Sequence, residues 1–149
     1  MNQHIISRIA IYILAAVMFY FGIRHLLYPD VLVVTVPDFL PGGKFWVYLT
    51  GVAFILAAVS FVTNIWVRTA AYLLALLLFL IVFTIHLPNY METADKTYQQ
   101  MAMTNLLKDA ALAAFALYIA ANARHQHILE ETTMEEEERN RVRLEAEAM

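Results

Sequence analysis

Seven polar side chains interrupt the otherwise apolar stretches of this 149-residue chain: Arg24, His25, His86, Asn89, Asn105, Lys108 and Asp109. Their spacing puts them on helix faces. His86 and Asn89 are three residues apart, and Asn105, Lys108 and Asp109 stand at i, i+3 and i+4. Tyr20, Arg24 and Tyr28 repeat every fourth residue, with His25 aligned with Phe21. Cations beside imidazoles can hold an anion, a quinone carbonyl or another polar head group. An imidazole can also pass a proton, because it exchanges protons near neutral pH. Ionisable groups at membrane depth cost roughly 3 kcal/mol on insertion scales and normally face one another inside a bundle. Arg24 with Asp109 is the first expected pair. The alternative is that Arg24 and Lys108 run their stems along apolar surface and place their charges at the head groups, which leaves the histidines interfacial.

Other chemistries fit less well. His25 and His86 on two helices at similar depth are the minimum for axial haem ligation. Each, however, sits near a helix end beside Arg or Pro, and no second pair exists, so haem is disfavoured. Carboxylates in the apolar part are too few for a metal site, and His125 and His127 read as solvated. No nucleophile triad, phosphate loop or carboxylate pair occurs, so no catalytic residue is assigned. Cysteine is absent, which removes disulfides, thiol redox chemistry and Cys-ligated clusters. No basic stripe marks a nucleic-acid binder.

Composition sets the solvent. The chain is 61% hydrophobic and 15% charged, with mean hydropathy +0.59; soluble domains average about half apolar and a quarter charged. Residues 1–122 carry six Lys and Arg against five Asp and Glu, while residues 123–149 carry four Arg against eight Glu. The apolar excess demands a bilayer, and the acidic end is different material.

Four runs must therefore position the polar set. The first spans residues 5 to about 28, enough for ~30 Å of hydrocarbon. It is too long for a signal-peptide core, and no small-residue cleavage site follows. Pro29, Pro37 and Pro41-Gly42-Gly43 break the helix over residues 29–43. Val31-Leu32-Val33-Val34 within that segment is apolar, so the loop is expected to lie on the bundle, partly ordered. The second span runs from about 44 to 64. Trp46 and Trp66, twenty residues apart, match the two aromatic belts at ~30 Å. A short turn leads to the third span, about 67 to 87, whose centre over 73–82 suits lipid; Pro88-Asn89 is expected to end it. The fourth span is expected from about 104 to 122, with an alanine-rich face for close packing. Beyond it, residues 123–149 read as a charged extension of the fourth helix, partly helical or disordered. Thr132-Thr133 would cap a short helix there, with Glu135–Arg139 and Glu137–Arg141 at i,i+4.

The expected fold is all-α: a four-transmembrane-helix bundle, up-down-up-down, over residues 1–122, followed by the acidic tail. This topology brings the ends of spans one and three and the starts of spans two and four to one membrane face, where the seven polar residues gather. Arg8, Arg68 and Arg124 lie on the side of the termini, which favours termini in the cytoplasm. Spans two and three have no polar residue at mid-membrane, which argues against a permeation path.

The order Gly22-x-x-His25-x-x-x-Pro29, Val36-Pro37-x-x-Leu40-Pro41 and Trp46-Val47-Tyr48-x-x-Gly51, with Arg68 entering span three and Pro88-Asn89 closing it, resembles the DoxX family of small four-helix membrane proteins. The resemblance covers residues 5–122. It implies a four-helix bundle in a bacterial inner (plasma) membrane and an association with membrane redox chemistry, since relatives include a subunit of a thiosulfate:quinone oxidoreductase. Some related proteins work through cysteines, and that mechanism does not transfer to a chain without them. Two functions follow as expectations. One is a polar pocket that binds a quinone-like or lipid-like ligand and serves a redox partner, the electrons being supplied by the partner or a bound cofactor. The other is a non-enzymatic membrane subunit or scaffold, with helix four and the tail making partner or self contacts.

Overall fold

The computed structural model describes residues 3–147, with side chains described for these except 3–4, 124–133, 136–137 and 147. Among the described residues the only regular elements are helical, without strands. The elements are α1 (Gln3–Leu27), α2 (Pro29–Leu32), a 3-10 turn (Val33–Thr35), α3 (Lys44–Thr63), α4 (Val67–Ile81), a π-helical turn (Val82–His86), α5 (Leu87–Glu92) and α6 (Lys96–Glu147). Four helical stretches are long and apolar enough to cross a membrane: Ile5–Leu27, Lys44–Thr63, Val67–Glu92 and Lys96–Ala123. Their outward faces carry residues such as Ile13, Leu56, Leu73 and Phe83, each more than 60% exposed. Such surfaces would be costly in water, and hydrocarbon accepts them.

Inside, small residues let the helices close. Gly22 on α1 faces Gly51 on α3. A Cβ built on Gly51 would stand 2.8 Å from the His25 Cβ and 3.1 Å from the Gly22 carbonyl oxygen. Only glycine at both positions permits that approach, and in lipid close packing is the main source of helix association. Ala113, Ala116 and Ala120 on α6 are buried, as are Ala71 and Ala75 on α4, so that pair closes in the same way. Met18, Leu74 and Leu78 are the largest fully buried side chains and fill the centre.

The breaks between helices have local causes. Gly42 and Gly43 both take positive φ, and the Gly42 and Gly43 carbonyls accept from the amides of Phe45 and Trp46 to start α3. Asn64 closes α3 in the left-handed conformation, a common helix stop. Trp66 also has positive φ, 56°, a strained state for a bulky residue. The turn is pinned by the Ser60 hydroxyl, which donates to the Ile65 carbonyl.

Three expectations about helix limits need correction. Pro88 does not end the third span, which continues to Glu92. The π-helical turn Val82–His86 lies immediately before it. A proline ring clashes with the carbonyl four residues back; here that residue is Thr84, inside the widened turn, where the carbonyls are already displaced from α-helical register. The fourth helix starts at Lys96, eight residues before position 104. Its N-cap is Asp95, whose carboxylate accepts from the amides of Thr97 at 2.7 Å and Tyr98 at 3.0 Å. Replacing Asp95 with alanine is expected to cost about 1 kcal/mol of local helix stability, read as faster amide exchange confined to residues 96–99.

The third correction concerns the tail, which is continuous α-helix with the fourth span to Glu147, so α6 has 52 residues. No new helix starts at Thr132-Thr133, whose side chains lie outside the described residues. Arg139 donates to the Glu135 backbone carbonyl rather than to its carboxylate, and Arg141 pairs with Glu138 at i,i+3. Glu137, His125 and His127 have side chains outside the described residues.

Candidate functional site

A cavity of about 230 Å³ opens where the C-terminal part of α1, the start of α3, the end of the third span and α6 meet. Leu32, Thr35 and Val36, together with Trp46, form part of its wall. Apolar side chains make most of the rest, including Met18, Phe21, Phe54, Ile81, Ile85 and Leu112. Into this setting the chain brings Arg24, His25, His86, Asn105, Lys108 and Asp109, with Thr35 and Thr50.

The polar centre is a buried pair. His86 Nε2 lies 3.0 Å from Asp109 Oδ2, and both side chains are about one-tenth exposed. The carboxylate accepts and the imidazole N–H donates, which fixes the ring and leaves Nδ1 as its other polar atom. His86 is the last residue of the π-helical turn, so the register change in the third span is what aims it at α6. Asp109 also receives Lys108 Nζ at 3.3 Å through its other oxygen. Lys108 is further held by Asn105 Oδ1 at 3.5 Å and stands 4.6 Å from the centre of the Phe21 ring. A lysine shared among a carboxylate, an amide and a ring face is oriented without being fully neutralised.

On the α1 side, His25 Nδ1 lies 2.8 Å from the Phe21 carbonyl. That carbonyl can only accept, so Nδ1 carries the proton and a neutral ring offers Nε2 as acceptor. The ring meets Phe54 edge-on, centroids 5.5 Å apart. The two histidines therefore reach the cavity from α1 and the third span, with aromatic walls nearby. A carbonyl-bearing head group fits this set: it can accept from the Lys108 ammonium or the Thr50 hydroxyl, and apolar faces flank it.

The expected pairing of Arg24 with Asp109 does not form. Arg24 is exposed and stacks its guanidinium over Tyr28, 4.7 Å from the ring centre. Tyr28 stands one turn away on the same face, whereas Asp109 is occupied by two nearer donors. Lys108 likewise does not snorkel away; its ammonium turns back onto the cluster. Asn89 also departs from the expected set. It does not line the cavity; its side-chain amide donates to the Thr35 carbonyl at 2.8 Å. It ties down the segment that walls the cavity. A salt bridge between Lys44 and Asp30 and a hydrogen bond from Trp46 Nε1 to the Pro41 carbonyl, 2.7 Å, secure the same 29–46 region.

Some wall residues carried no clear signal. Phe21, Phe54 and Leu112 are ordinary apolar residues of spanning helices. Thr50 is buried and was detectable only as a lone hydroxyl in an apolar run. Among the described residues no group of three or more His, Cys, Asp or Glu could hold a metal ion.

The model of one protein family, described as a domain of unknown function (DUF8561), matches residues 14–122. That stretch runs from the middle of α1 to the end of the fourth span. It includes every residue of the cavity and excludes the charged extension. No curated protein and no solved structure matches the chain. With most of its length inside the match, the chain belongs to the DUF8561 family.

Proposed function

We propose that this is an up-down-up-down integral membrane protein of DoxX type that holds the head group of a quinone-like membrane ligand for a redox partner. The observation that carries this reading is the pairing of His86 with Asp109 inside a cavity otherwise walled by Phe21, Phe54, Ile85 and Leu112. A quinone ring needs apolar faces above and below and hydrogen bonds at its two carbonyl ends. Lys108, with His86 when its Nδ1 also carries a proton, can serve one end and the Thr50 hydroxyl the other. The volume of about 230 Å³ is below the ~300–1,000 Å³ of pockets that enclose whole ligands. It suits a head group with its tail outside. Reduction of such a ring takes up protons with the electrons, and His86, oriented by Asp109, is placed to deliver one. The electrons would come from the partner or from a bound cofactor. The DoxX resemblance agrees with this role, and Gly22 and Gly51, two of its residues, form the helix crossing beside His25.

The test uses purified protein with Trp66→Phe, which leaves Trp46 at the cavity as the reporter. Titration with a tail-less naphthoquinone is expected to quench it saturably. His86→Ala is expected to weaken binding about tenfold, the worth of one good hydrogen bond. Affinity unchanged in a folded His86→Ala protein would remove the cavity as the binding site.

A second reading, a scaffold subunit for a partner complex, draws on α6. Residues 124–147 add 24 residues of helix beyond the last span, ~36 Å at helical rise, rich in Glu and Arg. Deleting residues 124–149 separates the two: a head-group site keeps its quinone affinity, and a scaffold loses its co-purifying partner.

A further inference from the structure

A second cavity, of about 440 Å³, is lined by Ile6, Ser7, Ala10 and Ile11 of α1 and by Phe115, Tyr118, Ile119 and Asn122 of α6. All of its wall comes from the first and last spans. The first cavity is bordered by the same two helices, through Met18 and Phe21 on α1 and Leu112 on α6. Along α6, Leu112 lines one cavity and Phe115 the other, three residues or ~4.5 Å apart. The bundle's close backbone approaches are α1 on α3 and α4 on α6, sealed by glycine and alanine respectively. The seam between α1 and α6 is closed only by longer side chains, and both cavities lie on it.

We propose that this seam holds the hydrocarbon tail of the ligand whose head occupies the first cavity, an inference that rests on the head-group reading above. The tail passes below the contact of Lys108 with the Phe21 ring, over Leu112 and Phe115, and into the second cavity. From Lys108 to Ile119 is eleven residues, or ~16 Å, the reach of a chain of a few isoprene units. The occupant is committed by chemistry. The end near Lys108 and Asp109 is polar, and between the two cavities the seam is apolar, with part-buried Leu112 and Phe115 over a floor of buried Leu14 and Met18. Lys108, at the polar end of the seam, is 38% exposed where neighbouring Asp109 is 9%.

The experiment compares a tail-less naphthoquinone with its prenylated counterpart on the full chain in one detergent, reading Trp46 fluorescence in the Trp66→Phe background. Ala10→Trp fills the second cavity, and Ile6→Trp narrows it from the exposed rim should Ala10→Trp fail to fold. Each is expected to weaken the prenylated quinone about tenfold, the equivalent of about two methylenes no longer buried, and to leave the tail-less one unchanged. Comparing variant with parent cancels partitioning of the tail into detergent. Equal behaviour of both ligands in a folded variant overturns the seam while sparing the head-group site. Failure of both ligands to bind the parent protein overturns the head-group site and the seam with it. A phospholipid that displaces the prenylated quinone while the tail-less one stays bound supports the seam and identifies it as a general acyl-chain groove.

Discussion

Replacing Gly51 with leucine is expected to separate α1 from α3 and to cost about 3 kcal/mol or more of stability. The first atom of any side chain at Gly51 would already stand 2.8 Å from the His25 Cβ, 3.1 Å from the Gly22 carbonyl oxygen and 3.1 Å from the Leu26 Cδ2. The first two are a side-chain root and a backbone oxygen, neither of which can swing aside, so the helices themselves must move. Overpacking a well-fitted site costs ~1–3 kcal/mol, and leucine adds three further carbons to the one that clashes. In a bilayer no hydrophobic gain compensates, because lipid tails are as apolar as the partner helix. Gly51→Ala brings only the first atom and is expected to cost less, about 1–2 kcal/mol on the same scale. Reversible unfolding in mixed micelles, followed by circular dichroism, measures both. The same displacement carries His25 away from Phe54 and opens the cavity wall, so the proposed quinone affinity should fall in step with stability. A Gly51→Leu protein as stable as the parent would mean that α1 and α3 do not cross this closely.

The second large effect is expected at Asp109, and it separates hydrogen bonding from charge. Asp109→Leu leaves the His86 Nε2 donor buried without an acceptor, a loss of ~1–3 kcal/mol. It also removes the counter-charge of Lys108 at 3.3 Å. Breaking one side of a buried pair costs ~3–5 kcal/mol when the remaining charge cannot reach water. Lys108 is 38% exposed and can turn outward, whereas His86 at 12% cannot. The expected total is therefore about 3 kcal/mol, at the lower end of that range. Asp109→Asn keeps an oxygen for His86 and should cost about 1 kcal/mol, the net worth of one hydrogen bond. If both variants lose the same stability, the acceptor role assigned to the carboxylate is wrong. Binding of the proposed head group should weaken at least about tenfold in Asp109→Leu, the loss expected of His86→Ala, because nothing then orients the His86 ring.

The helices were legible because they depend on run length and solvent. Residues 5–28, 44–64 and 67–87 are apolar runs of spanning length, and the spanning helices begin or end within a few residues of those limits. The errors cluster where a local device competes with composition. Residues 96–103 look polar, yet Asp95 caps them into α6. Pro88 reads as a stop, yet the π-helical turn before it relieves the clash. Residues 123–147 lack an apolar face, yet they continue a helix already nucleated by the last span, so they avoid the cost of starting one.

For the candidate site, residue type and helical spacing were enough to collect Arg24, His25, His86, Asn105, Lys108 and Asp109 at one end of the chain's spans. They could not assign partners. Arg24 faces Tyr28, Asn89 faces the Thr35 carbonyl, and Asp109 faces His86, because partner choice depends on how each helix is rotated about its own axis. That rotation is set by Gly22 against Gly51, by the alanines of α4 and α6, and by the extra turn width at Val82–His86. Nor could spacing show the seam between α1 and α6, since a gap is a property of two helices that fail to close. The sequence by itself determined the solvent, the number of spanning helices and the polar residues near their ends, because those follow from hydrocarbon thickness and the cost of burying charge. Only the tertiary structure decided which of those residues meet, since a shift of one residue in helix register turns a side chain by about 100° and exchanges every neighbour it has.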